Sequence, residues 1–277
     1  MPAAFIVECV SANEKGLDPQ KLRMRQLQGA FLEAVRRVSP EQAHQLHEGS
    51  QEKPYTLGLM ERMSQKRGFI KRFQFRVTLL DDAFFPLVLQ LQATTHDEPL
   101  MLGKQPFKIQ SIHTGTGHYA KWTGFSPWSK LLSDASTQHI VHLRLDTPVS
   151  FRQSQKEKGT RLEMPLPLPE LVLGSALRKW QLWSGEVLDE ELRKYLSSAI
   201  EITWPFSLES HEVEFHIRGT TRRVVGCTGQ ITYRLHHKQI PKTVLQQMNA
   251  LASSLFYTGA GVRTAFGMGR LCQIEQP

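Results

Sequence analysis

The sequence predicts an α+β protein made of two tandem ferredoxin-like (RRM-like) βαββαβ domains, and three observations point there. Short apolar runs, some alternating with period two, are interleaved with longer stretches at helical spacing. Their order reads strand, helix, strand, strand, helix, strand, and then begins again in a larger second copy. A chain of 277 residues with 40% hydrophobic content is also long enough to fill two cores of ordinary size. The expected division is 1–134 and 135–277. No internal sequence repeat accompanies it, so the doubling rests on element order.

In the first round, the apolar run 4–10 reads as a strand. A helix is expected over 19–38, where Met24, Leu27, Phe31, Ala34, Val35 and Val38 form one face and arginines and glutamines fill much of the other. Ser39-Pro40 punctuates it, and 45–54 is polar and turn-like. Strands follow over 55–60 and 73–79, the second with clean alternation. Asp81-Asp82 can cap a helix reaching about residue 91, and 105–113 returns to extended structure.

The second round starts after a connection over 127–136, with a strand over 139–148. A charged loop over 153–161 precedes helices over 170–182 and 189–196. Strands are expected over 212–218 and 223–235. Pro241 then suits a first helical turn, and Val244, Leu245, Met248, Leu251, Ala252 and Leu255 keep helical spacing up to Gly259, where a C-cap glycine belongs. A last strand covers 271–274.

A formal charge of +8 and a pI of about 9.5 favour an anionic partner, nucleic acid first, although excess charge also serves solubility. Cys9, Cys227 and Cys272 are scattered, odd in number and without Cys-x-x-Cys spacing, which argues for reduced core thiols over a disulfide framework or zinc site. Glu8 interrupts the first apolar run, no basic leader precedes it, and no stretch reaches the ~20 apolar residues of a membrane helix. A cytoplasmic protein is expected.

The stretch Gly259-Ala-Gly261-Val-Arg-Thr-Ala-Phe-Gly267-Met-Gly269-Arg270 holds four glycines and joins a helix to a strand. A dinucleotide fingerprint needs strand, loop and helix in that order, and a P-loop ends in Gly-Lys-Ser/Thr, so both are excluded. What remains is a glycine platform carrying Arg263, Thr264 and Arg270, whose exposed amide donors and charge would suit a phosphate-rich polymer. An ordinary turn with surface arginines reads the same residues equally well. Arg218-Gly-Thr-Thr-Arg222-Arg223 is a basic tip between two strands that can follow an RNA groove or simply be solvated. Tyr119, Lys121 and Trp122 can stack an unpaired base or pack in a core.

Taken with Leu166-Pro-Leu-Pro-Glu-Leu-Val-Leu-Gly-Ser-Ala-Leu-Arg-Lys-Trp180, Thr147-Pro148-Val-Ser-Phe-Arg152, Val225-Gly-Cys-Thr-Gly229-Gln-Ile-Thr-Tyr233 and the Leu46-His47 position, the glycine loop resembles the CRISPR-associated repeat-cleaving endoribonucleases, the Cas six family of the RAMP superfamily. The likeness spans nearly the whole chain. It implies binding of CRISPR repeat RNA, metal-independent cleavage to a 2′,3′-cyclic phosphate and a 5′-hydroxyl, no cofactor, and a glycine loop (Gly259, Gly261, Gly267, Gly269) that helps hold RNA. Other CRISPR effector proteins and a second copy of the chain are compatible partners.

The chemistry requires a group to take the 2′-hydroxyl proton, charge to stabilise the phosphorane, and a proton for the leaving 5′-oxygen. Histidine suits the proton steps, with an unperturbed pKa of ~6.5. The resemblance places this role on His47, with His44 about one helical turn away as the competing assignment, and puts Lys53 where some members carry a lysine beside the phosphorane. Some members also use a tyrosine from the end of the first helix; here that region has Phe31 and no tyrosine. His139, His142, His236 and His237 lack the partners of a metal site, and the acidic residues do not cluster as two-metal nuclease ligands. The rival reading is a non-catalytic RNA-binding subunit of a CRISPR effector complex, which would not need His47. A general single-strand binder built on RRM domains is disfavoured because the strands lack the RNP aromatic pattern.

Overall fold

The apolar run at the start of the chain becomes β1 (Ala3–Ser11), most of whose side chains are buried. The computed structural model describes residues 1–48, 52–61, 63, 66–115, 117–153, 162–217, 220–236 and 240–275, and its contacts divide them into two compact units. One holds Met1–Ser126 with Ala265–Gly267, the other Pro127–Thr264 with Met268–Pro277.

In the first unit a single 3-10 turn, Pro19–Lys21, precedes α1 (Met24–Val38), so the helix begins later than the expected residue 19. The backbone N–H of Arg23 donates to the Gln26 side chain at 3.2 Å, closing the helix start. The predicted face holds: Leu27, Ala30, Phe31, Ala34 and Val35 are buried in the core with Phe5, Val7, Phe75 and Val77. The turn expected over 45–54 is in part a helix, α2 (Pro40–Glu48). Ser39 accepts from the Gln42 amide at 3.3 Å and Pro40 occupies the first helical position, so the pair that ends one helix starts the next. Two buried side chains three apart, Ala43 and Leu46, fix α2 to the core.

The unit continues through β2 (Tyr55–Leu59), β3 (Arg72–Leu79), α3 (Phe85–Gln90), β4 (Leu100–Leu102), β5 (Gln105–Thr114) and β6 (Gly124–Phe125). Strand order in the sheet is β2-β3-β1-β5-β4, antiparallel throughout, with β6 also pairing with β1.

The second unit opens with α4 (Trp128–Ser133) inside the connection expected over 127–136; Trp128 is buried edge to face on Trp180, with centroids 5.0 Å apart. Next come β7 (Ile140–Val149), a small hairpin of β8 (Phe151–Gln153) and β9 (Leu162–Met164), α5 (Pro169–Trp183), α6 (Leu192–Ser198), β10 (Ile200–Ile217), β11 (Thr220–Leu235), α7 (Lys242–Thr258) and β12 (Leu271–Ile274). Residues 154–161 of the expected charged loop lie outside the described residues. Strand order is β10-β11-β7-β12. Counting only the four principal strands of each unit, both sheets run second, third, first, fourth, which is the ferredoxin-like order.

The β10/β11 hairpin is much longer than the strands predicted over 212–218 and 223–235. Pro205 argues against a strand across 200–211, but it sits where the register shifts between Thr203 and Ser207, on the sheet's edge strand, where a residue without an N–H is tolerated. No helix among the described residues is long and apolar enough to cross a membrane.

Candidate nucleic-acid interface

His47 lies in the last turn of α2 with its side chain exposed, and His44, one turn earlier, is exposed as well. Burial of Ala43 and Leu46 turns one side of the helix inward and leaves both imidazoles outside. Lys53, on the segment entering β2, folds back so that its ammonium donates to the His47 backbone carbonyl. A cation there meets the negative end of the helix. Burial pushes the Lys53 ammonium below its ordinary pKa. The structure thus brings together the proton-transfer candidate and the cation that sequence placed six residues apart.

The glycine loop joins α7 to β12, in the order the sequence indicated, but its donors turn inward. The amides of Gly259, Ala260, Val262 and Gly269 donate to the carbonyls of Leu255, Gly269, Ser150 and Pro148 at 2.8–2.9 Å. The Gly261 amide donates to Ser175 Oγ at 3.0 Å and the Arg270 amide to Thr147 Oγ1 at 2.9 Å. The expected platform of exposed donors is therefore corrected: at these positions four backbone carbonyls and the hydroxyls of Ser175 and Thr147 take them, because buried N–H groups must be paired. Glycine is required for the same reason. A Cβ on Gly261 would sit 2.2 Å from Ser150 O, and one on Gly269 would sit 2.1 Å from Ala260 O, both at positive φ. Gly259 and Gly267 also have positive φ.

The loop's side chains are held as well. Arg263 pairs with Glu163 at 2.9 Å and lies 4.9 Å from the Phe215 ring centroid. Thr264 is buried, with its hydroxyl 3.3 Å from Lys179 Nζ. Arg270 lies 3.9 Å from Asp146, and burial lowers its pKa, with Asp146 opposing the shift and Arg144 adding to it.

At the basic hairpin Arg222 is exposed, and Arg223 reaches Glu214 at 3.1 Å and Glu212 at 3.5 Å. Arg218 lies outside the described residues. Tyr119 and Trp122 are half-buried: Gln74 donates to the Tyr119 hydroxyl and Arg76 to the Trp122 carbonyl at 2.7 Å, while Lys121 sits 5.6 Å from the Trp122 ring centroid.

Sequence reasoning passed over three groups. Ser175 and Lys179, one turn apart on α5, both hold the glycine loop, and the fully buried Lys179 ammonium donates to Thr258 O at 2.5 Å, the carbonyl end of α7. A lysine in a buried helical stretch was the available signal, since an ammonium is buried only where oxygens receive it. Arg144 and Asp146, two apart on β7, pair at 2.8 Å. Glu8 receives Ser111, His113 and Gln74; burial raises its carboxyl pKa, but these hydrogen bonds outweigh it and leave the pKa below the usual value.

Comparison with known families matches residues 1–133 to the CRISPR Cas6 N-terminal domain and residues 143–271 to the CRISPR-associated endoribonuclease Cas6. Among solved structures, a Cas6 product complex is 28% identical with a TM-score of 0.83, covering 99% of this chain and 100% of that one. A Thermus thermophilus Cas6 is 26% identical with a TM-score of 0.72, covering 99% and 98%. A second Cas6 product complex is 26% identical with a TM-score of 0.73, covering 99% of each chain. No curated protein sequence matches. Two family matches that together span nearly the whole chain, and a fold shared end to end, place this protein in the Cas6 family of CRISPR-associated endoribonucleases.

Proposed function

We propose that this Cas6-family endoribonuclease matures precursor CRISPR RNA by cutting within the repeat, using the RNA's own 2′-hydroxyl as nucleophile and no metal ion. The products are a 2′,3′-cyclic phosphate and a 5′-hydroxyl. The observation that carries the reading is the pairing at the end of α2, where an exposed imidazole at His47 stands on the backbone that anchors Lys53. The imidazole handles the proton steps. An ammonium has three donors, so a bond to the His47 carbonyl is compatible with a second to a non-bridging phosphate oxygen as charge builds on the phosphorane.

In this reading residues 1–134 carry the chemistry and 135–277 hold the RNA. Gly259, Gly261, Gly267 and Gly269 shape the loop that presents Arg263, Thr264 and Arg270, and Arg218, Arg222 and Arg223 form the hairpin's contact. The similarity to Cas6 product complexes supports repeat RNA as the ligand.

The test uses the repeat encoded beside the gene. The unmodified repeat should be cut in excess chelator, with a cyclic phosphate on the upstream fragment. A repeat with a single 2′-deoxy nucleotide just upstream of the scissile phosphate should bind but stay intact. Cutting of the deoxy-substituted RNA would refute attack by the 2′-hydroxyl and with it the role of His47. Tight binding without cleavage of either RNA would move the protein to the non-catalytic class.

A further inference from the structure

The stretch Lys66-Arg-Gly-Phe69-Ile-Lys-Arg72, which leads into β3 of the first unit, gathers basic side chains around one aromatic ring. Phe69 is 62% exposed, and Lys66, Arg67, Lys71 and Arg72 are exposed with it. The exposure is built into the backbone. Ile70 and Leu17 exchange hydrogen bonds, the Leu17 amide donating to Ile70 O at 2.8 Å and the Ile70 amide to Leu17 O at 2.9 Å, and the Ser11 amide donates to Lys71 O at 2.8 Å. Leu17 is buried and Ile70 packs against the core, so the inward place beside Phe69 is taken and the ring stays outside. Gly16 allows this close approach: a Cβ there would lie 2.7 Å from Ile70 O and 3.4 Å from Phe69 Cβ.

The charge around the ring is uncompensated. Lys66 pairs with Glu61, but among the described residues Arg67, Lys71 and Arg72 pair with no carboxylate. The register carries this charge onto the sheet: Val10 of β1 lies opposite both Arg72 of β3 and Lys108 of β5, which places these two basic residues in one row on the face turned away from Phe73 and Phe75 in the core. The Lys108 ammonium donates to His96 O at 2.7 Å and keeps further donors. The row is remote from His47. β3 runs from Arg72 to Leu79, and Leu79 pairs with Tyr55 beside the segment that carries Lys53, so the two ends stand roughly 25 Å apart.

We propose that Phe69 is a stacking platform for an unpaired base of the RNA, with Arg67, Lys71 and Arg72 holding the phosphates on either side and Lys108 continuing the track across the sheet. This rests on the reading that the chain binds repeat RNA, and it adds a contact for a single-stranded stretch away from the scissile phosphate. A lone exposed phenylalanine on a neutral surface would need no explanation. A ring held rigidly among unpaired cations is the combination that single strands use, because a base offers its face only outside a duplex while its phosphates seek positive charge.

Ring and cations leave different signatures in a salt series. Binding is measured with the repeat blocked by a 2′-deoxy nucleotide, so that cleavage does not enter. Phe69→Ala should weaken binding about 5- to 50-fold, one stacked base, and leave the slope of log affinity against log salt unchanged, since stacking releases no counterions. Phe69→Leu should fall with alanine and Phe69→Trp should match or exceed the parent, because the face of a ring is what the base needs. Arg72→Gln should weaken binding and lower the slope by about 0.7, one single-strand phosphate contact. Thermal midpoints should stay at the parent's value, both side chains being exposed; should a Phe69 variant fail to fold, the slope of Arg72→Gln decides. Parental affinity in both Phe69→Ala and Arg72→Gln overturns the proposal and leaves the loop to another protein, and full binding by Phe69→Leu overturns stacking. A parent that binds the repeat no better than unrelated RNA defeats the functional reading itself, whereas parental binding by these variants with repeat recognition intact defeats only this site.

Discussion

Gly261→Ala separates two reasons for glycine in the loop. If the residue is glycine so that RNA can approach the backbone, a methyl group lowers affinity and leaves folding intact. The structure gives a different reason. The added Cβ would lie 2.2 Å from Ser150 O, where ordinary contact begins at 3.4 Å, so the carbonyl must retreat by more than 1 Å. That carbonyl accepts from the Val262 amide at 2.8 Å, and the same shift would disturb the Gly261 amide bond to Ser175 Oγ. A φ of +80° costs a residue with a side chain about 1–2 kcal/mol, and loss of a hydrogen bond adds about 1 kcal/mol. The expected destabilisation is about 2–4 kcal/mol, a fall in thermal midpoint of about 5–15 °C for a unit of this size. The assay is thermal unfolding followed by circular dichroism. An unchanged midpoint with RNA affinity lost would refute the packing argument and return Gly261 to a ligand-facing role.

Other residues give predictions of different kinds. Lys53→Ala should slow cleavage about 100-fold with repeat binding largely kept, since charge near the phosphorane acts chiefly in the transition state; equal loss in affinity and rate would make Lys53 a binding residue. Replacing Arg222 and Arg223 together should weaken binding of a structured repeat more than of a short single strand, at a stability cost below about 1 kcal/mol because the Arg223 pairs are exposed; equal weakening would reduce the hairpin to general charge. Glu8 has a folded-state pKa below its unfolded value, so its contribution to stability is present above the ordinary carboxylate range and is lost as pH falls through the depressed value. Glu8→Gln should therefore flatten the acid side of a urea-midpoint profile, and a profile parallel to the parent's would refute this.

What was legible in the sequence was periodic. α1, α5, α7 and the strands around β1, β3 and β7 announce themselves by apolar spacing, because a helix face or strand buried over many residues must repeat. Among its described side chains the nine-residue α2 buries only Ala43 and Leu46, too few for a period, and its cap residues also read as the end of α1. Pro205 hid half of a long strand, because whether a strand lies at an edge is a property of the sheet. In the glycine loop the order of elements and the need for positive φ were legible. The destination of its amides was not: Ser150 and Pro148 lie more than 100 residues earlier in the chain. The same separation conceals the pairing of Arg263 with Glu163, 100 residues away.

That pairing bears on how RNA binding responds to salt. Arg263 meets Glu163 at 2.9 Å, Arg223 meets Glu214 at 3.1 Å, and Arg270 stands 3.9 Å from Asp146, so three of the arginines proposed for RNA already have a carboxylate partner in the chain. A phosphate arriving at Arg263 releases cations from the RNA, worth about 0.7–0.9 in the log-log salt slope per contact. It also frees Glu163, which then attracts a cation from solution, so the net release is smaller. The slope for the parent protein should consequently fall below the value implied by its number of basic contacts. Glu163→Gln removes the competitor: affinity should rise severalfold at low salt and the slope should steepen by up to about one contact's worth. Arg263→Ala should weaken binding yet flatten the slope by less than a full contact. Filter binding across a salt series measures both. If Glu163→Gln lowers affinity and leaves the slope unchanged, Glu163 serves to position Arg263 for RNA, and the exchange of carboxylate for phosphate does not occur there.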